Sequence, residues 1–248
     1  MITVFIPAKG HSERVKSKNL QQIAGKTLIQ RALDFAQGID RVSKIVLSTD
    51  SIGIVGATFL DESTTLEFTR EPSDTLISAG KNVYIHKRPP DFSARESRTT
   101  SLLAHFLELQ PQLAGHLLLL QPTSPFRLES DRNYINSLDL TNLNSLFSVS
   151  KVESPHPLKT FRWDSNSSPN LTDEAIDRMQ TPAQTLGEYF APDGAFYMAK
   201  VEEFRKSKSL INKQSICFER NGYRTLNIDS ESDLDFAIYI ADNAPHKL

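Results

Sequence analysis

Short runs of apolar and β-branched residues recur along this chain and alternate with stretches whose apolar residues return every three or four positions. Such runs are typical of buried strands, and the intervening spacing is typical of helices with one apolar face. Helical spacing is evident within residues 28–36, 102–107 and 234–241. Strands that alternate with helices predict an α/β fold with a mainly parallel sheet and right-handed crossovers. The candidate strands are residues 2–6, 44–48, 82–86, 115–120, 145–149 and 195–198.

Length and composition fit one domain spanning residues 1–248. The net charge of −2 argues against a nucleic-acid-binding surface. No apolar run approaches the roughly 20 residues of a membrane span, and residues 1–3 do not resemble the start of a signal peptide. Cys217 is the single cysteine and cannot form an internal disulfide. We therefore expect a cytoplasmic protein that binds neither membrane nor nucleic acid.

Two long segments break the alternation of strands and helices. Residues 54–76 mix Thr, Glu and Asp without a clear period and exceed what a simple crossover needs. Residues 151–192 contain Pro155 and Pro157 near their start and few of the apolar residues that would form a core, although they lie between two candidate strands. Long irregular segments are usually functional or disordered. For residues 151–192 we expect an arm that reaches towards a partner subunit.

The first candidate strand runs directly into a loop that is rich in positive charge. Lys9, Arg14, Lys16 and Lys18 follow one another with a single acid, Glu13, among them. Ligands of open α/β sheets bind at loops that follow strand ends, and Lys and Arg donate strong hydrogen bonds to phosphoryl oxygens. The loop therefore predicts a nucleoside triphosphate site. A solvated loop with no ligand is the alternative.

Other phosphate and nucleophile motifs fail near this loop. Gly25-Lys26-Thr27 would end a P-loop motif, but Leu20 stands where that motif needs glycine. Residues 10–14 resemble the Gly-x-Ser-x-Gly motif of a nucleophile elbow, but Arg14 stands where the motif needs its second glycine. No Gly-x-Gly-x-x-Gly follows the first strand, and no Cys-x-x-Cys or His-Glu-x-x-His cluster indicates zinc.

A second polar turn follows the candidate strand at residues 115–120. Pro122 and Pro125 fix the backbone there and hold the polar groups of Gln121, Thr123 and Ser124 at the edge of the sheet. We interpret the turn as part of the binding site. The alternative is a rigid connection that binds nothing.

A carboxylate precedes the last helical stretch. Asp229 ends the sequence Leu226-Asn227-Ile228-Asp229, and a carboxylate at a strand end is a natural Mg²⁺ ligand beside nucleotide phosphates. Asp229 or Ser230 could instead serve as the helix N-cap.

Taken in order, these segments resemble the sugar-activating cytidylyltransferases, and among them the CMP-sialic acid synthetases (acylneuraminate cytidylyltransferases). The family usually has Arg at the position of Lys9. Gln-Pro-Thr-Ser-Pro at 121–125 favours the sialate branch over CMP-Kdo synthetases. The matching segments are 6–10, 18–20, 25–29, 46–50, 87–89, 119–125, 155–159, 193–197 and 228–234.

The resemblance implies a Rossmann-like, three-layer nucleotide-diphospho-sugar transferase fold with a protruding arm at residues 151–192 that dimerises and binds sugar. It also implies that CTP reacts with a nonulosonic acid to give a CMP-sugar and pyrophosphate, with Mg²⁺ as cofactor, in a homodimer. By the same resemblance Lys9, Arg14, Lys18 and Asp229 are the catalytic residues, and Asp229 is the metal ligand. The implied nucleotide-binding residues are Ala8, Lys9, Gly10, Ser12, Arg14, Lys18, Asn19, Arg88, Thr99, Gln121 and Pro122. The implied sugar-binding residues are Gln121, Thr123, Ser124, Lys159 and Gln184.

Four departures from the family pattern affect what the resemblance implies. Asn227 replaces the first Asp of the metal signature, and Ala183 replaces an Arg before Gln184. Arg95 or Glu96 stands at a position that is usually Asp, and residues 54–76 look like an insertion. The loss at Ala183 keeps open a Kdo, amino-Kdo or legionaminate-type substrate. Asn227 keeps open a non-catalytic relative that binds nucleotide or sugar.

Overall fold

The computed structural model describes residues 1–94, 96–163 and 168–244. Eight strands form one mixed sheet, a two-stranded hairpin stands apart, and helices flank the sheet. The strands are β1 (Ile2–Pro7), β2 (Gln22–Ile23), β3 (Lys26–Thr27), β4 (Val42–Thr49), β5 (Leu76–Ser78), β6 (Val83–Lys87), β7 (His116–Leu119), β8 (Ser145–Lys151), β9 (Phe190–Lys200) and β10 (Ile216–Arg220). The helices are α1 (Leu28–Gln37), α2 (Ile52–Phe59), α3 (Glu62–Arg70), α4 (Thr99–Leu109), α5 (Glu129–Ser137), α6 (Asp173–Gln180), α7 (Val201–Ser207) and α8 (Glu231–Asn243).

The spatial order of the large sheet is β10-β8-β9-β7-β1-β4-β6-β5. The four central strands β7, β1, β4 and β6 are parallel to one another. The chain moves outwards from β1 through β4 to β6 and then returns to place β7 on the other side of β1. This reversal leaves a crevice outside the carboxyl ends of β1 and β7, where open α/β sheets bind ligands.

Alternation along β1 produces the three layers that we predicted. Val4 and Ile6 point into a core with Ile29 and other residues of α1. Phe5 points to the opposite face, where it packs with Phe106 of α4. Because both faces of the central strands are buried, they read as continuous apolar runs. All six candidate strands and all three candidate helices are present.

The prediction of an irregular segment at residues 54–76 was wrong, because most of it is helical. Ser51 caps α2 by accepting a hydrogen bond from the backbone of Ile54, and Asp61 caps α3 in the same way. The two helices have only eight and nine residues, so each shows too few turns to reveal a period. They pack Val55 and Phe68 over β5 and β6. The edge strands β5 and β10 were also not foreseen.

The two ends of residues 151–192 belong to β8 and β9, which pair there, and the residues between them form a separate excursion from the sheet. A short 3-10 turn at Pro157–Lys159 packs against α6, and the Lys159 ammonium donates to the backbone carbonyl of Met179 at 3.2 Å. Phe161 and Trp163 are largely exposed. Residues 164–167 of the expected arm lie outside the described residues, and its role in dimerisation stays a prediction. Among the residues described, no helix combines the length and apolar character needed to cross a bilayer.

Candidate functional site

A crevice opens where the chain reverses between β1 and β7. The cationic loop after β1 forms one wall, the turn after β7 forms another, and the segment between β6 and α4 forms a third. A second hollow adjoins it along the cationic loop and is lined by Lys9, Ser12, Glu13, Arg14, Lys18 and Asn19. The crevice itself is lined by Pro7, Lys9, Lys18, Asn19, Arg88, Phe92, Ala94, Ser97, Arg98, Thr99, Leu102, Gln121, Pro122 and Thr123.

The start of the cationic loop is fixed to the end of β4. The backbone N–H of Gly10 donates to a carboxylate oxygen of Asp50 at 2.7 Å. The side-chain amide of Asn19, which is buried, donates to the carbonyl of Lys9 at 2.9 Å. A Cβ at Gly10 would lie 2.5 Å from the Cβ of Ser51, so only glycine fits this approach. The loop therefore starts from a fixed point, although half of the residues from Lys9 to Lys18 are exposed.

Asp229 lies across the loop from these contacts and holds two of its cations. Arg14 donates to Oδ1 of Asp229 at 2.9 Å, and Lys18 donates to the same oxygen at 3.4 Å. Lys18 also donates to the carbonyl of Ile228 at 2.9 Å. Burial lowers the pKa of Lys18, and the nearby Asp229 carboxylate partly offsets that effect. Ser230, and not Asp229, caps α8, because its hydroxyl accepts from the backbone of Asp233.

The turn after β7 is braced from below by Arg127. This guanidinium donates to the carbonyls of Gln121 at 2.6 Å, Ser124 at 2.7 Å and Ala195 at 2.8 Å. Burial lowers the pKa of Arg127 to about 9, so the side chain stays charged at neutral pH. Three carbonyls on one rigid guanidinium fix the shape of the turn.

Gly194 lets the turn, the start of α8 and β9 approach one another closely. Its φ is +80°, and a Cβ there would lie 3.0 Å from Oε1 of Gln121 and 3.3 Å from Oγ of Ser124. Oγ of Ser124 and Oδ1 of Asn227 are buried, and neither has a hydrogen-bond partner in the described part of the chain. Two such unpartnered oxygens therefore lie close behind Gln121, which itself lines the crevice at its floor.

A buried charge cluster lies behind this floor. Arg220 is fully buried and donates to Asp193 at 2.8 Å, to Asp131 at 3.2 Å and to the carbonyl of Phe126 at 2.6 Å. Arg224 also pairs with Asp131, and Ser148 donates to Asp193. These contacts tie α5, β9 and β10 to the chain that leaves the turn.

Arg88 follows β6 and reaches the crevice from the side opposite β7. Only 5% of the residue is exposed. Its guanidinium donates to the carbonyl of Ser48 at 3.0 Å, and its backbone N–H donates to the carbonyl of Thr49 at 2.8 Å. Burial lowers the pKa of Arg88 to about 10, partly offset by Asp50, so it is a permanent cation at neutral pH.

The structure brings most of the predicted site residues together. Ala8 is buried behind the crevice, Gly10 anchors the loop, and Ser124 lies under the turn. Asp229 lies at the rim through its contacts with Arg14 and Lys18. Those that line the crevice or the adjoining hollow are Lys9, Ser12, Arg14, Lys18, Asn19, Arg88, Thr99, Gln121, Pro122 and Thr123.

Lys159 and Gln184 are not among the residues that line the crevice. Both belong to the excursion between β8 and β9, where Lys159 contacts the backbone of Met179. Arg95, one of two residues that we matched to a usual Asp, lies outside the described residues. Sequence reasoning missed Phe92, Ser97 and Leu102, which line the crevice because α4 begins there. The helical period of α4 was the signal that could have placed Leu102.

The donor set fits a magnesium ion held mainly by a nucleotide. In the described residues no three His, Cys, Asp or Glu side chains gather to hold a metal. Asp229 offers one carboxylate, and the buried Oδ1 of Asn227 offers a neutral oxygen that lacks a protein donor in the described part of the chain. Mg²⁺ commonly takes one or two carboxylates and completes its shell with phosphates and water. One carboxylate at the rim is therefore sufficient.

The chain is similar to known cytidylyltransferases. A sequence model of the cytidylyltransferase family matches residues 3–57. An N-acylneuraminate cytidylyltransferase of Escherichia coli O18:K1:H7 is 23% identical over 244 residues, covering 96% of this chain and 52% of that protein. This chain thus spans about half the length of that relative. A pseudaminic acid cytidylyltransferase of Campylobacter jejuni serotype O:23/36 is 24% identical over 234 residues, covering 94% of this chain and 93% of that protein.

The fold is that of nucleotidyltransferases. A solved CMP:2-keto-3-deoxy-manno-octonic acid synthetase in complex with CTP superposes with a TM-score of 0.61 at 14% identity, covering 100% of this chain and 99% of that one. The predicted Rossmann-like fold is therefore confirmed, and so is the resemblance to cytidylyltransferases that the sequence motifs indicated.

Proposed function

We propose that this protein transfers a cytidylyl group from CTP to an acidic keto sugar of the nonulosonic acid class. The observation that carries the proposal is the crevice at the reversal between β1 and β7. There Lys9 and Lys18, the buried Arg88 and the polar turn at Gln121 face one space. Cations on two sides suit a triphosphate, and the turn offers neutral donors and acceptors for a base or sugar.

The reaction is an in-line displacement at the α-phosphorus of CTP. The anomeric hydroxyl of the sugar loses its proton to solvent as its oxygen forms the new bond to phosphorus, while the bond to the bridging oxygen breaks and pyrophosphate leaves. Lys9, Arg14 and Lys18 bind the triphosphate and stabilise the charge that develops on it. Asn19, Gln121 and Pro122 position the nucleoside. Positioning and charge neutralisation are the main contributions that such a site makes.

Asp229 would hold Mg²⁺, which supplies charge neutralisation at the phosphate oxygens when it is bound. In the free protein the carboxylate instead keeps Arg14 and Lys18 at the rim of the crevice. Both ion pairs are partly exposed, so a triphosphate can take over the two cations at small cost. Asp229 would then be free to hold the metal.

The sugar side of the site involves the arm. Lys159 suits the sugar carboxylate, and Gln184 would contact the same ligand. Neither lines the crevice within one chain, whereas the arm carries exposed Phe161 and Trp163. We propose that a homodimer covers these rings and brings the arm of one subunit to the crevice of the other. We place the reaction in the cytoplasm, where CTP is made.

A pyrophosphate-release assay with CTP, Mg²⁺ and a panel of acidic keto sugars tests the proposal. The panel contains N-acetylneuraminic, pseudaminic, legionaminic and 3-deoxy-manno-octulosonic acids. We expect release with one of the nine-carbon acids. Release with only the eight-carbon acid would assign the chain to the Kdo-type branch, for which the loss of Arg at Ala183 leaves room.

A non-catalytic nucleotide- or sugar-binding protein is the second candidate function. Asn227 favours it, because a neutral amide replaces one of the two carboxylates in the family's metal signature. CTP binding by calorimetry without pyrophosphate release from any sugar in the panel would support this candidate. Absence of CTP binding would contradict the cytidylyltransferase, and absence of binding to both CTP and every sugar of the panel would contradict both candidates.

Asp229→Asn separates metal binding from helix capping. We expect Mg²⁺-dependent turnover to be lost while the free energy of unfolding changes by less than about 1 kcal/mol, the size of an exposed ion pair. Ser230→Ala is the matched control, since losing the cap of α8 costs about 1 kcal/mol and leaves Asp229 in place. Full turnover of Asp229→Asn would show that Asp229 does not hold the metal.

A further inference from the structure

A continuous line of hydrogen bonds runs from the edge of the sheet to Arg88. Asp74, just before β5, accepts at Oδ1 from Nε2 of His86 at 3.3 Å. Nδ1 of His86 lies 3.0 Å from Oγ of Ser48. Nε of Arg88 donates to that hydroxyl oxygen at 3.4 Å. A second histidine, His105 of α4, places its Nε2 2.8 Å from the same oxygen of Asp74.

The chemistry of each group fixes where the protons lie. An ionised carboxylate only accepts hydrogen bonds, so Nε2 of His86 carries a proton towards Asp74. In a neutral imidazole the other nitrogen is then an acceptor, so the Ser48 hydroxyl donates to Nδ1. A guanidinium only donates, so the remaining lone pairs of Ser48 face Arg88. Every group in the line from Arg88 to Asp74 thus donates in the same direction.

The surroundings of His86 keep the imidazole neutral. His86 is fully buried beside the rings of Phe5 and Phe106, which also contact each other. Burial lowers the pKa of His86 to about 4, although the hydrogen bond and charge of Asp74 act in the opposite direction. The charge of Arg88 and the neighbouring His105 act in the same direction as burial and favour the neutral form of His86 further. The line of donors therefore persists at neutral pH.

Asp74 has an unusual backbone conformation and is held in it by a backbone hydrogen bond. Its φ is +71°, in the left-handed region that non-glycine residues seldom adopt. Its N–H donates to the carbonyl of Lys87 at 2.8 Å, which ties it to the residue before Arg88. Strained positions of this kind persist where the surrounding structure holds them, and they concentrate at functional sites.

We propose that Asp74, His86 and Ser48 are positioning residues that hold the Arg88 guanidinium towards the nucleotide. The buried guanidinium of Arg88 donates to Ser48 twice, to its backbone carbonyl and to its hydroxyl oxygen. The Asp74 carboxylate orients the imidazole of His86, the imidazole orients the Ser48 hydroxyl, and that hydroxyl accepts from Nε of Arg88. This inference rests on the proposed binding of CTP in the crevice.

The proton arrangement can be tested without any ligand. Nitrogen-15 NMR of the free protein at neutral pH reports the tautomer of each histidine. We expect His86 to be neutral with the proton on Nε2. A proton on Nδ1, or an imidazolium, would reverse the line of donors and overturn the proposal.

The effect on nucleotide binding is tested by calorimetry and kinetics with CTP. In Asp74→Asn we expect CTP to bind about tenfold more weakly and the KM for CTP to rise with little change in kcat, as for an interaction made equally in ground and transition states. Asp61→Asn is the matched control, because Asp61 caps α3 away from the crevice. Ser48→Ala repeats the test if Asp74→Asn does not fold.

A double variant separates positioning from a general loss of stability. If Asp74 acts only through Arg88, Asp74→Asn combined with Arg88→Met binds CTP as weakly as Arg88→Met alone. Independent, additive losses would overturn the proposal. Failure of the native protein to bind CTP would instead contradict the proposed function, so the two failures can be told apart.

Discussion

The two sides of the crevice use arginine in opposite ways. On the loop side Arg14 meets Asp229 at 2.9 Å, and its side chain is 67% exposed. On the floor side Arg220 meets Asp193 at 2.8 Å, and both side chains are fully buried. The distances are nearly equal, but the surroundings differ. Water screens the first pair and competes for it, whereas nothing competes for the second.

This contrast indicates a division of work within the site. The Arg14–Asp229 pair is exposed, and the Lys18–Asp229 pair is exposed on the side of Asp229, so phosphate oxygens can replace this carboxylate as the partner of the two cations at little cost. The buried arginines, Arg127 and Arg220, have carbonyls and carboxylates as permanent partners and shape the floor. The crevice therefore combines an adaptable wall with a fixed floor, and burial rather than residue type decides which role an arginine has.

Removing Arg220 is expected to have the largest effect on stability. Arg220→Met leaves the Asp193 and Asp131 carboxylates buried with less compensation, which costs about 3–5 kcal/mol in the free energy of unfolding. Arg14→Met is the matched control, with an expected cost below about 1 kcal/mol. Denaturant unfolding measures both. Equal costs would mean that burial does not separate the two sides.

Burial should also make the stability of the protein depend on pH through His86. Because the pKa of His86 falls from 6.5 to about 4 on folding, an unfolded chain takes up this proton at a higher pH than the folded one. The contribution of neutral His86 to the free energy of unfolding is therefore fully present above about pH 6.5 and is lost as the pH falls towards 4. The loss is on the order of 3 kcal/mol.

His86→Gln isolates this contribution. The difference between the unfolding free energies of the native protein and the variant, followed from pH 7 to 4, removes the titration of carboxylates that both share. Asp74, Arg88 and His105 face His86 and stay in both proteins. A difference that does not change with pH would show that His86 is not buried in its neutral form.

The sequence was sufficient to place the adaptable wall and much of the crevice. Lys9 and Gln121 each directly follow an apolar run, and Arg88 lies one residue after β6. Parallel strands bring such positions to one edge, so strand ends predicted the cationic loop and the polar turn, whereas Arg88 was implied by the family resemblance. The period of α1, with Leu28, Ile29 and Ala32 on one face, was equally readable.

The fixed floor could not be predicted, because its contacts join residues that are far apart in the chain. Arg127 binds the carbonyl of Ala195, which lies 68 positions away, and Arg220 reaches Asp131 over 89 positions. A charged residue in the sequence gives no sign that it will be buried with a distant partner. The helices α2 and α3 were missed for a local reason, although their caps, Ser51 and Asp61, were visible.

Gly10 joins the adaptable wall to the fixed part of the protein. In Gly10→Ala the new Cβ would press on Ser51 at 2.5 Å, so the loop must shift, at a cost of about 1–3 kcal/mol in stability. We expect CTP binding to weaken as well. Gly53→Ala is the matched control, because its Cβ would lie 3.6 Å from Oγ of Ser51 and the residue is helical. That variant should be neutral or stabilising.

The smallest expected effect lies in the wall itself. Lys9→Ala removes one half-buried cation from the crevice, and we expect CTP to bind about tenfold more weakly, equivalent to about 1.4 kcal/mol, with no measurable change in the free energy of unfolding. The apparent affinity for the sugar should change far less. Lys16→Ala, in the same loop but outside the lining of the crevice, removes an equal charge. If both variants weaken CTP binding equally, the loop acts through its total charge and the triphosphate does not contact Lys9 directly.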